Sequence, residues 1–145
     1  MKLWRTDIHY LLRLDRGEEV VSTLKEFSKT NNVKSGSIKG VGGVGPATLA
    51  FYDRLKKQYL TKTFNEEYEL LSLLGNFSIF NNQPVAHCHA ILSGEDFKAF
   101  GGHVMEMTVA LTCELIIAPD SYQMDRVEHP DFGFNIWGGC KVCEI

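Results

Sequence analysis

The chain has 145 residues, 44% of them hydrophobic, and a formal charge of −3. That length suits a single domain with its own core, and the negative charge argues against a protein built to coat phosphate backbones, which carries a basic face or tail. The four cysteines, Cys88, Cys113, Cys140 and Cys143, are too few for a disulfide scaffold of this size and read as reduced thiols.

At the start of the chain Lys2, Arg5, Asp7 and His9 interrupt any apolar stretch of the kind a signal peptide needs. No later run approaches the roughly 18–20 apolar residues that span a bilayer, and Glu114 breaks even the segment 109–118. A cytoplasmic protein without membrane association is expected. Residues 10–14 read as a strand, and Asp15 and Gly17 as a turn. Glu18 and Glu19 then place negative charge where a helix begins. Val20, Val21, Leu24 and Phe27 follow at helical spacing, and Asn31 and Asn32 suit its end, because Asn tolerates a left-handed cap.

From Val33 onward the signals are mostly β. Residues 37–44 are laced with glycine. Segments 47–52 and 58–64 flank a polar turn and read as a hairpin. Residues 69–80 form a strand in which Gly75 marks a bulge or a close contact. A turn at 81–84 leads into strands at 85–93 and 103–118, and 119–129 reads as a loop; the tail from Asp131 stays unassigned. Many strands with one early helix predict an α+β domain over residues 1–145, an antiparallel sheet with one or two flanking helices.

The chemistry concentrates in the histidines. In a strand, His87 and His89 point to one face and Cys88 to the other. If 85–93 and the strand from Ala99 form a hairpin about the five-residue loop 94–98, Ser93 faces Ala99, Ile91 faces Gly101, and His89 faces His103. Opposed residues share a face at roughly 5 Å between Cβ atoms, so the three imidazoles converge, and Gly101 and Gly102 leave the neighbourhood uncrowded. Three imidazoles suit zinc, and also nickel, copper or iron. They would leave a coordination position for water or substrate, which admits catalysis without establishing it. The same three residues also read as ordinary polar positions on an exposed strand face. Glu106 and Glu114 face away in this register, so no general base is identified.

Other signals carry less. Residues 40–45 match G-x-G-x-x-G, but Pro46 and a β-rich run follow where a dinucleotide site needs a helix; flexible backbone, or glycines packed against another subunit, is the better account. Cys140-Lys141-Val142-Cys143 lacks a second pair and a thioredoxin-like context, and reads as chance placement. Glu69 is either an outward-facing strand residue or a buried acid needing Arg13 or Arg126. Arg54, Lys56, Lys57 and Lys62 read as a solvated hairpin end rather than a nucleic-acid patch.

Several motifs occur in a fixed order: 11–19 (LLRLDRGEE), 35–42 (SGSIKGVG), 68–75 (YELLSLLG), then His87-Cys88-His89-Ala90 and Gly101-Gly102-His103-Val104. Together they resemble the PPC domain (plants and prokaryotes conserved, also PCC) over residues 10–126. The resemblance implies an antiparallel sheet with a flanking helix or two, assembled as a homotrimer. It also implies a metal site, often zinc, on the H-x-H and G-G-H histidines, which here are His87, His89 and His103. The family's DNA-binding label leans on plant members whose AT-hooks, built around Arg-Gly-Arg-Pro, precede the domain; no such motif occurs here. The sequence and the resemblance together point first to a cytoplasmic protein, a trimer as the resemblance implies, that binds zinc or another divalent transition metal, with catalysis on a small molecule left open. A DNA-binding regulator and a structural or partner-binding trimer are the alternatives.

Overall fold

The structure, a computed structural model, describes residues 1–140. Its elements in chain order are β1 (Lys2–Arg5), β2 (Tyr10–Asp15), α1 (Val20–Thr30), β3 (Gly36–Asp53), β4 (Gln58–Phe64), β5 (Tyr68–Phe80), β6 (Gln83–Ser93), β7 (Ala99–Pro119), β8 (Met124–Glu128) and β9 (Asn135–Cys140). The architecture is mostly β, one large sheet in the order β1-β2-β7-β3-β5-β8-β9 with one short helix. β4 pairs with β3, and β6 joins β5 to β7. β3, β5, β6 and β7 therefore close a ring. The pairings are antiparallel except for a single parallel bridge, Ile79 to Asp125, that attaches β8 to β5.

The helix covers the inner face. Val20, Val21, Leu24 and Phe27 are buried at helical spacing, and the Phe27 ring meets Tyr10 edge-on at 5.1 Å and Phe77 at 6.1 Å. Glu19 caps its start, its carboxylate accepting from the Val21 and Ser22 amides and from Met107 of β7, 88 residues away in sequence. Burial alone would raise this carboxyl's pKa; the hydrogen bonds from Ser22, Val21 and Met107 outweigh it and hold the acid below its ordinary value. At the other end Asn31 donates to the Phe27 carbonyl and Asn32 takes the left-handed conformation, φ 53°. Beneath the helix β6 alternates: Ala86, Cys88, Ala90 and Leu92 are buried, while His87, His89 and Ile91 face outward.

Several expectations need correcting. The segments 37–44 and 47–52 belong to one 18-residue strand, β3, which passes through Gly45-Pro46 with shifts of register at Gly42, Val44 and Ala47. The G-x-G-x-x-G run is thus not a flexible loop; it lies in β3 between β5 and β7. A Cβ on Gly42 would stand 2.3 Å from the Thr112 carbonyl oxygen, so glycine there lets two strands approach. Gly75 is likewise a close contact, its missing Cβ directed at the His87 carbonyl and the Cys88 sulfur. The predicted loop 119–129 contains β8, and the unassigned tail contains β9. The edge strand β1 was not anticipated either. Its four residues are all exposed, so they carry no burial periodicity to read.

Candidate metal centre

The β6–β7 hairpin has the register inferred from the loop length: Ser93 opposite Ala99, Ile91 opposite Gly101, His89 opposite His103. Pairing stops at that last couple. Beyond it β6 stays with β5, where His87 faces Asn76, while β7 continues along β3. The two strands part at the histidines, and a cleft of about 920 Å³ opens between them.

The three imidazoles come together where the strands part, and two of them, His87 and His103, line the cleft. Ring centroids lie 5.2 Å apart for His87 and His89, 5.1 Å for His87 and His103, and 5.3 Å for His89 and His103. One ligating nitrogen from each lies within 4.8 Å of the others. Nitrogens bound to one zinc ion at 2.0–2.1 Å are at most about 4.2 Å apart, so small side-chain rotations close the set. Gly101 does not act by leaving open space. A Cβ there would stand 2.4 Å from the Ala90 carbonyl oxygen, so its glycine lets β7 lie close against β6 and set the His89–His103 pair.

The electrostatics suit ligation. Burial lowers the His87 pKa from 6.5 to about 4, helped by the Arg126 charge and by the two other imidazoles. Burial, His89 and Arg126 push His103 in the same direction. Both rings are therefore neutral at physiological pH and keep a lone pair for a cation. Tyr59 of β4 stacks on His103 at 5.3 Å and 26°. Cys88 is no ligand candidate: it lies under the helix with its thiol pushed up to about 12 by burial.

Sequence reasoning missed two neighbours, Tyr59 and Arg126. Arg126 stands within 3.3 Å of His87 Nδ1 through its Nη2. It arrives on β8, in the segment read as a loop, so no pattern tied it to the histidines. The idea that it serves a buried Glu69 does not hold, because Glu69 is exposed. Glu106 and Glu114 are exposed on β7 and line no part of the cleft. Lys56 pairs with Asp53 at 3.7 Å and Lys62 sits over the Phe64 ring, as expected of a solvated hairpin. Cys140 ends β9, and its C-x-x-C partner Cys143 lies outside the described residues.

Similar proteins place this arrangement. A protein from Bacteroides thetaiotaomicron, provisionally described as DNA-binding, is 31% identical with a TM-score of 0.91, over 94% of this chain and 96% of that one. A protein from Archaeoglobus fulgidus described as metal-containing is 32% identical with a TM-score of 0.85, over 96% and 100%. A plant- and prokaryote-conserved protein from Pyrococcus horikoshii is 28% identical with a TM-score of 0.84, over 97% and 96%. Among curated proteins none matches. The family model of the Plants and Prokaryotes Conserved (PCC) domain matches residues 4–119. With four-fifths of its length matched and every motif in order, the chain belongs to the Plants and Prokaryotes Conserved (PCC) domain family.

Proposed function

We propose that the chain binds one divalent transition metal, zinc being the best match, through His87, His89 and His103, and presents it to a small molecule entering the cleft. The observation that carries this reading is the approach of three ligating nitrogens to within 4.8 Å, two of them on residues that line that cleft, His87 and His103. The metal-containing relative supports it. A zinc ion there supplies Lewis acidity at a coordination position the protein leaves open. Burial and neighbouring charge favour neutral His87 and His103, Tyr59 stacks against His103, and the Arg126 guanidinium stands beside His87. Protein purified without a histidine tag should contain about one metal ion per chain; His87→Ala and His103→Ala should contain almost none. Full metal content in both variants contradicts the site.

The proposal extends to a homotrimer. One row of opposed residues runs across the outer face, Trp4, Leu11, Ile116, Lys39, Leu74, His89 and His103, each pair sharing a face. Trp4 is 50% exposed and Leu74 63%, and Val41 and Leu71 add to the same groove. A largely apolar face of this kind, interrupted by Lys39, marks an interaction surface, and a second copy of the chain is the occupant this reading assigns to it.

A DNA-binding role draws only on the descriptions of relatives such as the Bacteroides protein. Its test is binding to duplex DNA that weakens steeply with salt; no binding at low salt disposes of it.

A further inference from the structure

We infer that the cleft takes a small carboxylate, with Arg126 holding the anionic group and the remainder of the ligand lying toward the three histidines. This deepens the metal reading and rests on it.

The first argument is the company Arg126 keeps. Its Nε donates to Ser78 Oγ at 2.6 Å, its Nη1 to the Asn135 carbonyl at 2.7 Å, and its Nη2 to Asn76 Oδ1 at 3.2 Å. All three partners are neutral. Among the described residues the ion pairs do not include Arg126. A partly buried guanidinium fixed in place by neutral acceptors keeps its whole charge for whatever enters. It lines the same cleft as His87 and His103.

The second argument is the fourth contact, from Nη2 to His87 Nδ1 at 3.3 Å. Arginine only donates, so His87 must accept through the in-plane lone pair of Nδ1. A neutral imidazole has one such lone pair. Once His87 gives it to a metal ion, by either nitrogen, none remains for Arg126. Metal loading therefore releases an Nη2–H, beside an Nη1 that carries a second N–H. Adjacent guanidinium donors match a carboxylate in bidentate fashion. Metal and anion should then bind with positive coupling, and two neighbouring cationic centres would stay uncompensated under a neutral ligand.

The third argument is the wall. Arg126 and the residues Phe134, Asn135 and Trp137 belong to the β8–β9 segment, beyond the residues 4–119 that match the family model. The family domain supplies the histidines, and this C-terminal segment supplies the anion-binding group and, with Tyr59, aromatic surface for an apolar ligand body. The volume is in the range of small-molecule sites.

Benzoate and benzamide, alike in shape and differing in charge, serve as probes in calorimetric titrations of wild type, Arg126→Gln and Arg126→Lys, with zinc content measured on each sample. Zinc-loaded wild type should bind benzoate about tenfold or more tighter than benzamide. Arg126→Gln should abolish that preference with zinc content unchanged, Arg126→Lys should keep part of it, and stripping zinc from wild type should weaken benzoate. Equal binding of the two probes, no measurable benzoate binding, or a preference that survives Arg126→Gln overturns the inference. Wild type that takes up no zinc sinks the metal reading instead. The probe comparison on zinc-free wild type and Arg126→Gln then still decides whether Arg126 holds an anion.

Discussion

His87 is the residue on which the electrostatics turn. In an unfolded chain its imidazole titrates near ~6.5; folded, burial beside Arg126 and the other histidines lowers it to about 4. Between those values the unfolded chain takes up a proton that the folded one refuses. The stabilising effect of a neutral His87 is therefore present above the unfolded value and is lost as pH falls toward the folded one. His103 shifts in the same direction. Metal-free wild type should accordingly lose melting temperature between about pH 7 and about pH 4.5 more steeply than His87→Gln does. Thermal scans in chelator check this, and parallel slopes for the two proteins speak against it. Bound zinc should steepen the wild-type slope, since the metal keeps the folded chain's three imidazoles unprotonated while the unfolded chain still takes up protons.

At the scale of elements, the β6–β7 hairpin was legible and the C-terminal hairpin was not, for one physical reason. β6 buries alternate residues under a helix, so its sequence alternates. With the five-residue connection, that alternation fixes which residues oppose one another. β8 holds Met124, Asp125, Arg126, Val127 and Glu128 with no buried position at all, attached by pairing to β9 and one bridge to β5. Nothing in its composition betrays a strand, so Arg126 could not be placed. The glycine run of β3 failed differently. Glycines at 40, 42 and 43 look like flexible backbone, yet they let β3 lie close against β7, a tertiary cause invisible in a linear pattern. The helix was legible because the spacing of its apolar residues and both of its ends agree. Gly101 gives the element-scale test. A methyl group added at this position would press on the Ala90 carbonyl oxygen and force β7 away from β6 two couples from the His89–His103 pair. Gly101→Ala should weaken zinc affinity about tenfold or more, although it touches no ligand. Competition against a chromophoric chelator measures this, and wild-type affinity in the variant contradicts the role given to the hairpin.

For the whole molecule, the histidine site and the apolar outer face are continuous. Leu74 stands directly opposite His89, and the row runs on through Ile116 and Leu11 to Trp4. An assembly that covers this face would also shield the exposed side of the site, so oligomerisation and metal binding belong to one account. Light scattering should give three times the chain mass for wild type and a smaller mass for Leu74→Glu, which replaces an exposed apolar side chain of the row with a carboxylate. A monomeric wild type contradicts the assembly. Among the described residues no helix is long and apolar enough to cross a membrane. The central claim is that three side chains from two strands meet on one cation, and crystals of zinc-loaded protein test it most directly. An anomalous difference map at the zinc edge should show one peak per chain, with imidazole nitrogens of His87, His89 and His103 at about 2.0–2.1 Å. A peak that excludes His103, or no peak between these rings in a zinc-replete crystal, contradicts it.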